Sequence, residues 1–502
     1  MQRVPVISPL HQTAKTHPHS IAISWRSKGL NIALGYSELS LKVIALGEQL
    51  IASGLTGGDR LACIDSNSPE LVMLYWACID QGILFCPLSP RFPPAQITQL
   101  IERYTLSHVW AGELHQDLLT QALSHRVISL DFSLTSQPHL AKYQPDRSYP
   151  PQSQPARVDA ELAANIILTS GSSGMPKAAL HSLNNHIANA EGSRSFIPLE
   201  HGDSWLLTLP VFHIGGLAII NRCALAGAAV VLQDRDSRLS EQLTTDKITH
   251  LSLVATQLVR LLNQDASSLQ QVKALLLGGG AISPALLAQL ETLKIRSFTS
   301  YGMTEMGSQI TTGIANEDGS CGHLLPGREL KIQDNEIYVR GETLFLGYLK
   351  PHSAAQSLTK SLTRSAEQIT LTLDPDGWFF TEDRGYWNED GNLCILGRCD
   401  NMFICGGENI QPEEIETILK QHPEIEEAIV FPLFDDEFGN LPAAIIKGDI
   451  PQQSELDALV CSQAARFKRP RQYYPWPEVE QTSLKVSRKQ IIEAVLCLES
   501  RN

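Results

Sequence analysis

The chain has 502 residues, more than one hydrophobic core ordinarily serves, so two or more domains are expected. With 43% hydrophobic residues, 34 Gly and 28 Pro it has the make-up of an ordinary globular α/β protein and not of a disordered or fibrous one. A formal charge of −14 argues against nucleic acid or an anionic membrane as the main partner and favours small ligands whose phosphates are neutralised locally by Lys and Arg.

The start, Met1 to Pro9, has no long apolar run, so a secretory signal is not expected. From Tyr36 to about Pro93 helix-like and strand-like stretches alternate. Leu61 to Ile64 reads as a strand, Asn67-Ser68-Pro69-Glu70 opens a helix to Ile79, and Leu84 to Leu88 reads as the next strand. This alternation predicts parallel sheets covered by helices. Gln137 to Ala160, rich in Pro, Gln and Ser, reads as an irregular connection.

The apolar run Asn165 to Leu168 leads into Thr169-Ser170-Gly171-Ser172-Ser173-Gly174-Met175-Pro176-Lys177. A strand that runs into small hydroxyl and glycine residues, with a lysine at the far end, sets backbone N–H groups and a cation where a phosphate can sit. It is not a Walker A loop, because Pro176 separates Met175 from Lys177 and an alanine follows. The longest apolar tract, Leu206 to Leu232, is interrupted by Pro210, His213, Asn221 and Arg222, which makes it a buried core segment and not a membrane span. Arg222 ends the apolar stretch Leu217 to Asn221, where a charge is costly unless paired. Its partner is either a second carboxylate on a substrate or a buried Asp or Glu of the protein, and the residues alone leave both open.

Val272 to Leu277 reads as a strand ending in Gly278-Gly279-Gly280, a turn that a ligand can approach closely, and Ser283-Pro284 opens a helix to about Leu293. Tyr301-Gly302-Met303-Thr304-Glu305 offers a hydroxyl and a carboxylate, hard oxygens suited to a Mg²⁺ held mainly by triphosphate and water. Asp374 to Gly385 and Asp390 to Asn401 read as short strands with Asp-Gly turns, a hairpin arrangement that positions Asp383, whose two oxygens suit vicinal hydroxyls. Beyond about Asp400 a small α/β module is expected. It has a helix from Pro412 to His422, a strand from Ala428 to Phe431 and an amphipathic helix from Ser454 to near Phe467. The expected domains are therefore 1–399 and 400–502. The ten cysteines form no C-x-x-C and no zinc spacing, so reduced thiols in a cytoplasmic protein are the simplest account.

In spelling and spacing, the segments from Thr169 to Lys177 and from Tyr301 to Glu305 resemble the phosphate loop and the magnesium and adenylate motif of the adenylate-forming superfamily. That superfamily includes the acyl-CoA synthetases, luciferases and peptide-synthetase adenylation domains. The resemblance implies a mixed α/β and α+β fold, with a large N-terminal AMP-binding domain of helix-covered sheets, a β-barrel-like subdomain and a small mobile C-terminal lid. It implies an ATP and AMP site formed by Thr169, Ser170, Gly171, Ser172, Ser173, Gly174, Lys177, Gly278, Gly279, Gly280, Tyr301, Gly302, Met303, Thr304, Asp383 and Arg398, with Glu305 and Thr304 on Mg²⁺. It also implies a hinge at Asp400 and a catalytic lysine, Lys485, in Leu484-Lys485-Val486-Ser487-Arg488-Lys489; Arg488 and Lys489 lie close enough in sequence to be confused with it. Gly406, Gly407, Glu408 and Asn409 resemble the segment lining the CoA channel of the CoA-using members, which favours a CoA ligase over a peptide-synthetase module. Leu209 to Gly216 resembles the gate to the acyl pocket, with His213 bordering the bound carboxylate and Gly279, Thr304 and Arg222 also facing the acid. His213 on residue type alone reads as a core histidine.

Within the superfamily the chain most resembles the o-succinylbenzoate-CoA ligases of menaquinone biosynthesis, on Ser204 to Pro210, Val254 to Arg260, Leu324 to Lys331, Asp400 to Phe403 and Glu437 to Asn440. The likeness is densest from Ile166 to about Lys489 and weaker before Gln137. Ser173, where Thr is frequent, and Leu484, where Gly is usual before the lysine, depart from the pattern without touching the chemistry. The implied substrates are ATP, an aryl dicarboxylic acid and CoA, with no nucleic acid, no membrane insertion and a homo-oligomer left open. A CoA synthetase for another acid and a nucleotide-binding pseudoenzyme are the alternative readings.

Overall fold

A computed structural model of the chain describes residues 5–133, 155–169, 176–279, 282, 284–352, 369–405, 408–435, 439–464, 466–478 and 487–499. Two large sheets dominate the first 350 residues. In the first, the strands Ser297–Met303, Ala274–Leu277, His250–Leu253, Ser204–Leu207, Ala229–Leu232 and Ile21–Ser27 run parallel in that spatial order, with antiparallel strands at either edge. In the second, His108–Ala111, Arg60–Ile64, Leu84–Leu88 and Ala163–Thr169 are parallel, and Lys177–Ser182, Gly347–Leu349 and Ile369–Thr370 extend it antiparallel. The helices Tyr36–Ala52, Pro69–Gln81 and Ile214–Ala226 share one continuous core with residues of both sheets, such as Ile23 and Leu207 of the first and Cys63 and Phe85 of the second. Parallel strands buried on both faces read as unbroken apolar runs, which is why Leu61 to Ile64 and Leu84 to Leu88 were legible without alternation.

The helix Pro69–Gln81 shows how local chemistry fixes an element. The Ser68 side chain accepts from the Leu71 N–H, Pro69 occupies the first turn, and Gly82 closes the helix at φ +63°. The segment Leu206 to Leu232 resolves into a strand, the helix Ile214–Ala226 and a second strand, and the helix keeps Asn221 and Arg222 buried. Among the described residues no helix is long and apolar enough to cross a membrane.

The region expected to be barrel-like is an open four-stranded antiparallel sheet of Arg328–Gln333, Glu336–Gly341, Phe379–Trp387 and Leu393–Arg398. After it, the described core residues from Phe403 to Val495 form two clusters of their own on the hairpin Ile425–Asp435 and Gly439–Gly448. Two helices are shorter than the periodicity predicts. Pro412–Leu419 stops before His422 because Pro423 disfavours helical backbone in the residue ahead of it. Gln453–Gln463 stops at an extended Ala464, and Arg466–Lys468 forms a separate 3₁₀ turn.

Candidate active site

The ladder between Ala163–Thr169 and Lys177–Ser182 pairs Thr169 with Lys177, so the two ends of the expected phosphate loop meet where these two neighbouring strands end. Ser170, Gly171, Ser172, Ser173 and Gly174 lie outside the described residues, as do Gly280, Gly406, Gly407 and Lys485. Lys177 is exposed, and its Nζ stands 5.1 Å from the ring centroid of Tyr348 on the adjoining strand. The Tyr348 hydroxyl donates to the buried Glu305 carboxylate, so the phosphate-loop lysine and the carboxylate of the magnesium motif flank one aromatic ring.

Tyr301, Gly302 and Met303 end the strand Ser297–Met303, and Thr304 opens a 3₁₀ turn to Met306. The register slips between Tyr301 and Gly302, and a Cβ at Gly302 would collide with the Ser308 carbonyl, so the bulge admits only glycine. Beside it, Gly279 at φ +82° turns the chain away from the strand Ala274–Leu277. His181 fixes Thr304 from below. Its Nε2 donates to the Thr304 carbonyl at 2.7 Å, and its Nδ1 makes a long 3.5 Å contact with Asn165, which in turn accepts from His186 Nε2 at 2.6 Å. Burial pushes the His181 pKa down to about 4, against the bond to Thr304, so the ring is neutral.

Asp383 and Arg398 sit opposite each other in the hairpin register. Tyr301 donates its hydroxyl to Asp383 at 2.6 Å. Burial raises the Asp383 pKa, and the Tyr301 hydrogen bond and Arg398 only partly offset it. Arg398 reaches Glu382 at 2.6 Å, Asp400 at 3.0 Å and Asp383 at 3.5 Å. Burial works against its charge, but these three carboxylates outweigh it and raise the pKa. The arginine expected to hold the nucleotide therefore also ties Asp383 to Asp400, which lies in the 3₁₀ turn Cys399–Asn401.

His213 and Arg222 stand apart from this network, on the helix Ile214–Ala226. His213 caps its start, is exposed, and meets Phe212 edge to face at 5.0 Å, so it is not a core histidine. The segment leading to it is clamped by Asn67, which donates to the carbonyls of Leu207 at 3.1 Å and Leu209 at 2.9 Å and accepts from the Val211 N–H at 2.9 Å. Arg222 is 4% exposed, and no carboxylate of the described residues pairs with it. Its Nη2 donates to Asn189 at 3.1 Å, its guanidinium lies 5.4 Å from the Trp205 ring, and its Nε has no partner. Burial lowers its pKa to about 10. A pocket borders it, lined also by Ser193, Ile197, Trp205 and Leu225. Arg328 is a second buried arginine in this region, held by the carbonyls of Gln309, Pro326 and Asn189, and burial lowers its pKa to about 9. Asn189 also points its amide at the Met306 and Gln309 carbonyls, at 3.5 and 3.4 Å, which links the arginine to the chain just past Glu305.

The two basic neighbours of Lys485 are engaged elsewhere. Arg488 pairs with the buried Glu416 at 2.5 Å, and Lys489 lies 3.8 Å from Glu493 on the same helix. Glu408 to Ile410 form a short strand paired with Phe403–Cys405. Sequence reasoning passed over Tyr348, His181, Asn67 and Asn189; only Asn67 carried a local signal, its place ahead of a capped helix. No group of three or more His, Cys, Asp or Glu side chains that could hold a metal occurs among the described residues. Glu305, buried and taking the Tyr348 hydroxyl, offers one hard carboxylate oxygen of the kind Mg²⁺ takes beside phosphate and water.

The sequence profile of the AMP-binding enzyme family matches residues 10–349, and that of the AMP-binding enzyme C-terminal domain matches 414–485. The chain is 34% identical over 466 residues to the 2-succinylbenzoate–CoA ligase of Escherichia coli strain K12, covering 92% of this chain and 93% of that one. It is also similar to the solved o-succinylbenzoate CoA synthetase of Bacillus subtilis. The form in complex with the acyl-adenylate intermediate OSB-AMP has a TM-score of 0.80 at 26% identity, covering 97% of this chain and 98% of that one. The form in complex with ATP and magnesium ion has a TM-score of 0.80 at 25% identity, covering 97% and 100%.

Proposed function

The chain belongs to the AMP-binding enzyme family and, within it, to the 2-succinylbenzoate–CoA ligases, and from that premise we propose that it joins o-succinylbenzoate to CoA through an acyl adenylate. A substrate carboxylate oxygen attacks the α-phosphorus of ATP, the bond to the β-phosphate oxygen breaks, and pyrophosphate leaves. The CoA thiolate then attacks the acyl carbon and AMP leaves. Adenylation turns a poor leaving group into a good one, which is why the hydrolytic energy of ATP is spent here.

Lys177 and the loop ahead of it neutralise the phosphates, Asp383 accepts the ribose hydroxyls, and Arg398 holds Asp383 in place. Glu305, with Thr304, would hold Mg²⁺, which offsets the charge of the phosphates. His213 borders the reacting carboxylate at the gate that Asn67 clamps. Lys485 bridges the carboxylate and the α-phosphate oxygens as charge builds in the transition state. For the second step the domain beyond Asp400 turns and presents Gly406 to Asn409 to the CoA arm. The ten free cysteines fit a reducing cytoplasm.

The observation that carries the choice of acid is Arg222, a buried guanidinium with no protein carboxylate among the described residues. A fatty acyl chain would leave it uncompensated, whereas o-succinylbenzoate has one carboxylate to activate and another to pair with it. Pyrophosphate release with Mg-ATP and o-succinylbenzoate, with and without CoA, tests the reading, with benzoate and octanoate run alongside and the product identified by mass. The expected result is CoA-dependent turnover to the thioester with o-succinylbenzoate preferred. Turnover favouring octanoate would overturn the assignment of the acid, and ATP binding without pyrophosphate release with any acid would overturn the reaction.

A further inference from the structure

Resting on the reading of Lys177 and Glu305 as nucleotide residues, we propose that Tyr348 is a positioning residue that keeps these two opposite charges from pairing with each other. The strand Gly347–Leu349 runs antiparallel to Lys177–Ser182 with Tyr348 opposite Ala179. Lys177, two residues from Ala179, therefore projects on the same face as the tyrosine. The ammonium rests against the ring, 5.1 Å from its centroid, and the hydroxyl at the ring's far end is bound to Glu305. Among the described residues Lys177 and Glu305 form no ion pair; each is held instead by the same tyrosine, the ammonium over its ring and the carboxylate at its hydroxyl.

The placement is fixed from several sides. The Glu305 carbonyl accepts from the Phe345 N–H at 2.8 Å, and the Phe345 ring meets the Tyr348 ring edge to face with centroids 4.8 Å apart. The tyrosine is thus tied to the Lys177 strand through its backbone and to the Glu305 turn through its side chain and its neighbour. A small side chain here would leave a long flexible ammonium free to swing to the carboxylate. The resulting pair would cancel the positive charge that a phosphate needs and occupy the carboxylate that a divalent cation needs. An aromatic ring prevents this without competing for the phosphate, because its attraction for the ammonium is weaker than that of an anion.

The test is a double-mutant cycle read in ATP binding, not turnover. ATP affinity is measured by calorimetry in EDTA, so that no divalent cation needs Glu305, for the full-length wild type and for Tyr348→Ala, Glu305→Gln and the double variant. Tyr348→Ala is expected to weaken ATP binding about fivefold in the wild-type background, the size of one charge-assisted contact, and by less than about twofold in the Glu305→Gln background. Tyr348→Phe, which keeps the ring, is expected to bind ATP within about twofold of wild type. A merely structural role would weaken binding equally in both backgrounds, and that outcome, or full affinity in Tyr348→Ala, would overturn the proposal. Lys177→Ala separates this from the premise: if it binds ATP as tightly as wild type, the nucleotide reading itself is wrong and the spacer falls with it.

Discussion

The proposed nucleotide end and the proposed acid end of the site handle charge in opposite ways. At the proposed nucleotide end the described carboxylates Glu305, Asp383, Glu382 and Asp400 have partners: Glu305 takes the Tyr348 hydroxyl, Asp383 takes Tyr301, and Arg398 gathers Glu382, Asp383 and Asp400. At the acid end Arg222 and Arg328 are buried among neutral partners, and burial lowers the pKa of both. Paired groups form a site that exchanges partners as ligand enters, whereas uncompensated buried cations form a site whose counter-ion arrives with the ligand. The first arrangement suits ATP, a substrate common to the family. On the proposed reading the second would discriminate between acids, because an acid without a second carboxylate leaves the desolvation of Arg222 uncompensated.

The largest expected effect breaks the acid end. Arg222→Met keeps the volume and removes the charge, and kcat/KM for o-succinylbenzoate is expected to fall about 10³-fold, equivalent to about 4 kcal/mol, mainly through KM. Stability is expected to move by less than about 1 kcal/mol, because a desolvated charge and a freed Asn189 acceptor offset each other. Urea unfolding alongside kinetics checks both signs. A large loss of stability with an unchanged KM would mean that the arginine serves the fold and not the substrate.

A second effect, in stability, lies beneath the nucleotide end. The unfolded chain protonates His181 near its ordinary value of 6.5, and the folded chain near 4. Between those values the unfolded state binds more protons, so stability falls as pH drops from about 6.5 to about 4, and above 6.5 this histidine contributes no slope. The full shift corresponds to about 3 kcal/mol. His186, whose pKa burial also lowers, acts in the same direction. Denaturant midpoints across pH 4 to 7 should show the slope, and His181→Gln, which can still donate to the Thr304 carbonyl, should flatten part of it. An unchanged slope in that variant would place the titration elsewhere.

The parts of this arrangement that were legible in sequence are those whose chemistry is contiguous. Thr169 to Lys177 and Tyr301 to Glu305 carry their donors, acceptors and glycines within a few residues, and the Asp390-Gly391 turn announces the hairpin that sets Asp383 against Arg398. What was missed acts across long separations. His181 reaches Thr304 over 123 positions, Tyr348 reaches Glu305 over 43, and Asn189 reaches Arg222 over 33. No local period encodes such contacts; they exist only once the sheets bring the strands together. Arg222 was conspicuous because a charge in an apolar run is costly, but its partner could not be read from neighbours, since the bond comes from another helix.

The smallest effect sharpens the comparison from the nucleotide side. Asp383→Asn keeps one oxygen for the Tyr301 hydroxyl and nearly the same shape, but gives up the charge and an acceptor for the ribose. Arg398 keeps Glu382 and Asp400, so it is not stranded. Burial already disfavours the ionised Asp383, so neutralising it should cost the fold little. KM for ATP is expected to rise about 30-fold, equivalent to about 2 kcal/mol, with KM for the acid unchanged. The contrast with Arg222→Met is the informative part. If each substitution moves only its own substrate's KM, the two ends work as separate binding sites. If Asp383→Asn also raised KM for the acid, the ends would be coupled, and Asn189, which joins Arg222 to the chain following Glu305, is the link to examine.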